Sequence, residues 1–177
     1  MRNFALLFIL LCSACATNQT QLMITDPGDA WRRRDDFGEF TAADGTKIPA
    51  PLRFYAHRSR DAYIRFDVID IEGVKKAHPE ADAGLYSPAR LAQHLADQAE
   101  MGGMKTSNVD FSRDDRATFT HEGKQHGTEL HWKTAVLRDP AFPQYLVLVT
   151  SGWPASDDVE MTATFDREVE QLCIKNR

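Results

Sequence analysis

The sequence predicts an α+β domain, an antiparallel β-sheet with helices packed on it in the manner of an α/β sandwich. Three observations carry that expectation. In Tyr63-Ile64-Arg65-Phe66-Asp67-Val68 the apolar Ile64, Phe66 and Val68 alternate with Arg65 and Asp67, the two-residue period of a strand with one buried and one wet face. Tyr145-Leu146-Val147-Leu148-Val149 is apolar without a break, as a central strand covered on parts of both faces would be. Between them, Ser87-Pro88 opens and Gly102-Gly103 closes a segment in which Leu91, Leu95 and Ala99 recur at helical spacing. A strand with a wet face favours an antiparallel sheet covered on one side over a parallel sheet buried on both.

Ahead of this domain lies a leader. Arg2 gives a short positive start, Phe4-Ala5-Leu6-Leu7-Phe8-Ile9-Leu10-Leu11 is an unbroken apolar run, and Cys12-Ser13-Ala14-Cys15 closes it with small residues. Eight apolar residues reach only about 12 Å as a helix, well short of the ~20 residues that span a bilayer. The closing residues resemble the lipobox of bacterial lipoproteins: Ser13 and Ala14 fit, and Cys12 stands where that family usually has Leu. The resemblance implies a signal peptide over residues 1–14 and a diacylglycerol thioether on Cys15. Each buried methylene would contribute ~0.8 kcal/mol, so two or three chains make a nearly permanent anchor. Ala16 after the cysteine, rather than Asp, resembles the pattern sorted to the outer membrane of Gram-negative cells. A cut at Ala14-Cys15-Ala16 would instead release a soluble periplasmic protein starting at Thr17. The lipidated form is preferred, because a cysteine here has an obvious use only in it.

Composition sets the remaining bounds. The 177-residue chain less its 14-residue leader leaves 163 residues, which suits one domain with its own core. Arg2 leaves with the leader, so 20 of the 21 basic residues face 26 acidic ones, a balance of −6 that disfavours a nucleic-acid partner. Beyond Cys15 the sole cysteine is Cys173, so no internal disulfide is expected.

Taken in order, residues 15–30 read as the lipidated cysteine and a flexible tether, polar from Ala16 to Leu22 and ending in the turn residues Asp26-Pro27-Gly28-Asp29. The single α+β domain is expected over 31–177. It opens on Trp31-Arg32-Arg33-Arg34-Asp35-Asp36, whose charges cancel along a solvated edge. Phe37 to Thr41 and Ile48 flank the tight-turn pair Asp44-Gly45, Leu52 to His57 alternates, and Lys75 to Tyr86 reads as irregular. After the helix comes a meander. Val109 to Phe111 is followed by a turn at Asp114-Asp115, Ala117 to His121 by a turn at Glu122-Gly123-Lys124, and Thr128 to Leu137 is one long strand. Arg138 to Pro143 forms a proline-bounded loop. Tyr145 to Thr150 is broken by Ser151-Gly152-Trp153-Pro154, and a closing helix starts near Asp157-Asp158 with Phe165, Val169, Leu172 and Cys173 on one stripe.

One constellation invites a chemical reading: His121, Glu122, His126 and His131. Imidazoles suit zinc, copper or nickel, and a hairpin turning at Gly123 and Gly127 would set His121 opposite His131. The spacing matches no zinc pattern; beyond the leader, whose Cys12 and Cys15 stand three apart, there is no CxxC, and HExxH, GxSxG, Walker and dinucleotide motifs are absent. No metal, cofactor or catalytic residue is therefore favoured, with His121, His126 and His131 as the metal candidates. His94 with Asp97 reads as helix surface, and Trp31, Trp132 and Trp153 as core. The order of strands, helix, meander and closing helix resembles the PsbP-like α/β sandwich. That resemblance implies a non-enzymatic accessory or ligand-binding domain. The expected function is thus a lipid-tethered periplasmic accessory domain, held to the bilayer by its acyl anchor, that binds a partner protein of the envelope, a small ligand or another envelope component without turning anything over. The alternatives are a metal-binding protein, or an enzyme whose site is assembled from distant residues.

Overall fold

The computed structural model describes residues 20–23, 27–34, 40–41, 47–48, 53–77, 79, 86–125, 127–140, 142–171 and 173–176. Cys15 and His126 lie outside them. The chain is built on one eight-stranded antiparallel sheet. Its strands are β2 (Trp31–Arg33), β5 (Arg53–His57), β6 (Tyr63–Asp70), β7 (Lys105–Thr106), β8 (Asp110–Arg113), β9 (Arg116–Gln125), β10 (Thr128–Leu137) and β11 (Tyr145–Pro154). They lie in the order β2-β5-β6-β11-β10-β9-β7, with β8 also on β9. The apolar strand β11 occupies the middle, where burial on both faces selects an uninterrupted run of Leu and Val.

Two small ladders stand apart: β1 (Thr20–Met23) with β12 (Cys173–Asn176), and β3 (Phe40–Thr41) with β4 (Lys47–Ile48). The first corrects two expectations. Thr20–Met23 is a strand and not spacer. Cys173 is not on the closing helix either: it leaves that helix and pairs with Met23.

Among the described residues three helices cover the two faces of the sheet, where the alternation of Tyr63 to Val68 suggested cover on one side alone. On one face lie α1 (Ile71–Ala77) and α2 (Pro88–Met101), which bury Ile71, Val74, Leu91, Ala92 and Ala96 against Ile69, Ala117, Phe119, Val136 and Leu146. The other face carries α3 (Asp158–Gln171), reached through a 3-10 turn at Ala155–Asp157. There Met161, Phe165 and Val169 close on Ile64, Phe66, Ala135, Val147, Val149 and Trp153. Full burial of each large apolar side chain is worth about 1.5–3 kcal/mol, so all three helices are held by their packed faces. Arg65 and Asp67, taken for a wet face, pair with each other at 2.7 and 2.9 Å and sit partly buried.

Local chemistry explains the boundaries. Helix α2 has Ser87 as its N-cap, the Oγ accepting from the Arg90 N–H, with Pro88 in its first turn and Gly103 at φ +86° beyond its end. The unforeseen α1 is capped the same way, with Asp70 Oδ1 accepting from the N–H groups of Glu72 and Gly73 at 3.1 and 3.2 Å. Strand β9 runs through Glu122-Gly123-Lys124 rather than turning there, and Gly127, at φ +83°, makes the reversal. Strand β11 likewise continues through Ser151-Gly152 to Pro154.

Candidate functional site

Register decides where the histidines lie. Residues opposed across a ladder share a face. His121 opposes Trp132 and His131 opposes Glu122, so His121 and His131 project from opposite faces of the sheet. The facing pair imagined for a metal does not form. Setting His121 opposite His131 would need a register one residue away from the observed one, in which His121 opposes Trp132, and a slip of one residue puts a side chain on the other face. Among the described residues no three His, Cys, Asp or Glu side chains group as a metal would require.

On the α3 face, Asp158 Oδ1 accepts from the Trp153 indole at 3.0 Å and lies 2.8 Å from His131 Nδ1. The hydrogen bond to His131 holds the Asp158 carboxyl below its ordinary range, with Trp153 adding to the effect. This pair ties the start of α3 to β10 and β11. The serine of that region, Ser151, donates instead to the Tyr63 carbonyl at 2.6 Å and is buried.

On the α2 face, aromatic rings cross the sheet in a row. Phe119 stacks on His121 at 5.6 Å, His121 on Trp132 at 5.2 Å, and Phe54 on Tyr63 at 5.5 Å. Between the two groups Gly152 opposes both Trp132 and Tyr63. A Cβ there would stand 2.6 Å from the Trp132 ring and 2.7 Å from that of Tyr63, so only glycine lets both rings lie over the strand. Burial lowers the pKa of His121 to about 4, leaving the ring neutral, and its Nδ1 is buried with no protein partner. Burial also raises the Tyr63 hydroxyl, a hydrogen bond with Trp132 opposing the shift.

Two cavities adjoin Arg138, which follows β10. The smaller, about 190 Å³, is bounded by Arg113, Arg116, Asp115, Asp139 and Glu170. Four of its charges are committed to one another: Arg113 donates to Asp115 at 3.0 and 3.1 Å, and Arg116 pairs with Glu170. Those hydrogen bonds hold Asp115 and Glu170 below the usual carboxylate range. The larger, about 500 Å³, is lined by Glu72, Lys75, Tyr86, Arg90, Arg138 and Gln144 among others. Among the described residues it sets three cations against one carboxylate, and no single stretch of sequence signals it.

No protein-family model matches the chain, and no curated protein matches it. Solved structures do resemble it. The Ran-binding protein Mog1p of Saccharomyces cerevisiae shares 15% identity at a TM-score of 0.49, over 87% of this chain and 94% of its own. LpqN of Mycobacterium tuberculosis, described as involved in cell envelope biogenesis, shares 12% at 0.47, over 90% and 86%. The cyanobacterial PsbP of Synechocystis shares 10% at 0.48, over 93% and 97%. Likeness at this level transfers no site residue and no ligand.

Proposed function

We propose that this chain is an exported lipoprotein of the bacterial envelope. In this reading it is cut before Cys15, acylated there, and held at the periplasmic side of the outer membrane as a non-enzymatic binding domain. The observation that carries the reading is Cys15 itself, set directly behind Ser13-Ala14 at the end of the apolar run Phe4 to Leu11. No helix among the described residues is long and apolar enough to cross a membrane. A binding role fits the polar groups described above. His131, Asp158 and Ser151 are spent on fixing elements to one another, His121 is wedged between rings, and the open cavity beside α2 is lined by cations.

Mass spectrometry of the protein isolated from envelopes tests the proposal. A diacylated or triacylated amino terminus at Cys15, abolished in Cys15→Ser, is expected. An unmodified terminus at Thr17, or a retained Met1, overturns the tether and leaves an untethered periplasmic domain or an uncut chain.

A further inference from the structure

We infer that the cavity between α1 and the first turn of α2 is a binding site for a phosphate-type oxyanion. The inference does not depend on acylation of Cys15. Lys75 from α1, Arg90 from α2 and Arg138 from the end of β10 converge on this space of about 500 Å³, and Glu72 is the acidic side chain in its lining. Glu72 accepts from Lys75 at 2.9 Å, which among the described residues leaves the two arginines as the uncompensated charge of the lining. Arg90 is exposed and makes no side-chain ion pair or hydrogen bond among the described residues. Arg138 gives one N–H to the Tyr86 carbonyl, which orients its guanidinium, while its Nε is buried without a partner. The Tyr86 hydroxyl, in the same wall, is also buried without one.

The helix sequence points the same way. A Ser N-cap followed three residues later by Glu or Gln is the stabilising arrangement at a helix start, and acidic side chains there complement the dipole. Ser87-Pro88-Ala89-Arg90 puts an arginine in that place, and the first turn of α2 has no acid at all. A local rule broken without a structural gain marks a functional position. An arginine fork, an ammonium and the positive end of a helix together supply the donors and the field that a phosphate or phosphomonoester prefers. The anion has two sources, a free phosphate or the headgroup of an anionic lipid.

Calorimetric titration of the full chain in nonionic detergent separates them. The probes are inorganic phosphate, monomeric dihexanoyl phosphatidic acid, and dihexanoyl phosphatidylcholine as the zwitterionic control. Saturable binding of phosphate or phosphatidic acid is expected, weaker at high ionic strength. Arg90→Gln should raise Kd roughly tenfold, the worth of one charge-assisted contact, and Arg138→Lys should do likewise while circular dichroism stays native. Arg32→Gln, on the exposed edge strand β2, should change nothing. Equal affinity for the two phosphate probes assigns the free anion, and tighter phosphatidic acid assigns the lipid headgroup. The proposal is overturned by no saturable binding of either, by equal binding of phosphatidylcholine, or by affinities that Arg90→Gln leaves unchanged.

Discussion

The two faces of the central sheet are built on different principles. Beneath α3 the interior is built on Ile64, Phe66, Val147, Val149, Trp153 and Phe165; within it Ser151 is buried and bonded to the Tyr63 carbonyl, Glu168 is buried beside Arg167, and Asp158 meets His131 and Trp153 at the rim. Beneath α1 and α2 the apolar cluster covers only part of the face. The rest is an aromatic row interleaved with polar side chains: the Arg65–Asp67 pair, Thr134 and Thr150 within 3.5 Å of one another, and the neutral His121. Both faces hold buried polar groups, and the α2 face differs in its aromatic row and in the cationic cavity at its border; the anion site inferred above would put recognition on that face and leave the α3 face to cohesion.

Substitutions that test this contrast differ in size. Phe165→Ala, at a fully buried position, should destabilise the fold by about 3–5 kcal/mol, read as a shift in urea midpoint, and should leave anion binding by the folded fraction untouched. On the opposite face Gly152→Ala drives a methyl into the Trp132 and Tyr63 rings. It should cost about 1–3 kcal/mol through overpacking and should perturb the near-ultraviolet signal of Trp132. A fully native Gly152→Ala protein would show that the rings are free to move aside and that the row is not rigid.

Sequence reading reached these two faces unequally. Helix α2 was legible to the residue at its start because cap, proline and glycines are local signals: Ser87, Pro88 and Gly102-Gly103 bound it as expected. The fold class and the central place of β11 followed from periodicity alone. Covering of both faces did not. A charge on an alternating strand reads as solvent, whereas Arg65 and Asp67 neutralise each other two residues apart on one strand and so tolerate partial burial. Glycine misled twice: Gly123 suggested a turn and Gly152 a strand end, yet both sit inside strands, with Trp132 ring atoms within 3.4 Å of the site a Cβ would take. The cationic cavity draws on Lys75, Arg90 and Arg138, which tertiary contact alone brings together. Whole-chain register was likewise needed to see that His121 and His131 face apart.

The buried imidazole makes the contrast pH-dependent. With its folded pKa near 4 and an ordinary value of 6.5, His121 is neutral in the native protein while the unfolded chain takes up a proton below 6.5. Its contribution is therefore complete above about pH 6.5 and is lost as pH falls toward 4. Between pH 7 and pH 5 that amounts to about 2 kcal/mol. His121→Phe, which keeps a ring to stack on Trp132, should remove this part of the pH dependence in urea titrations at the two pH values. An unchanged slope would mean that the site admits the charged ring.

The smallest effect is the most discriminating, because it sets stability against recognition at one residue. The two covering helices begin differently: α3 opens with Asp158 and Glu160 in its first turn, complementing its dipole, while α2 opens with no acid and with Arg90. Arg90→Glu would complete a capping box with Ser87 and replace an unfavourable charge by a favourable one. It should raise stability by about 0.3–1 kcal/mol, seen as a modest rise in Tm. If the arginine serves an anion, the same variant should lose phosphate binding altogether, since a carboxylate then stands in the cavity. Gain of stability with retained binding would place the anion elsewhere. Loss of both would mean that Arg90 supports α2 in a way its exposed side chain does not reveal, and the division of labour between the two faces would not extend to the helix that borders the cavity.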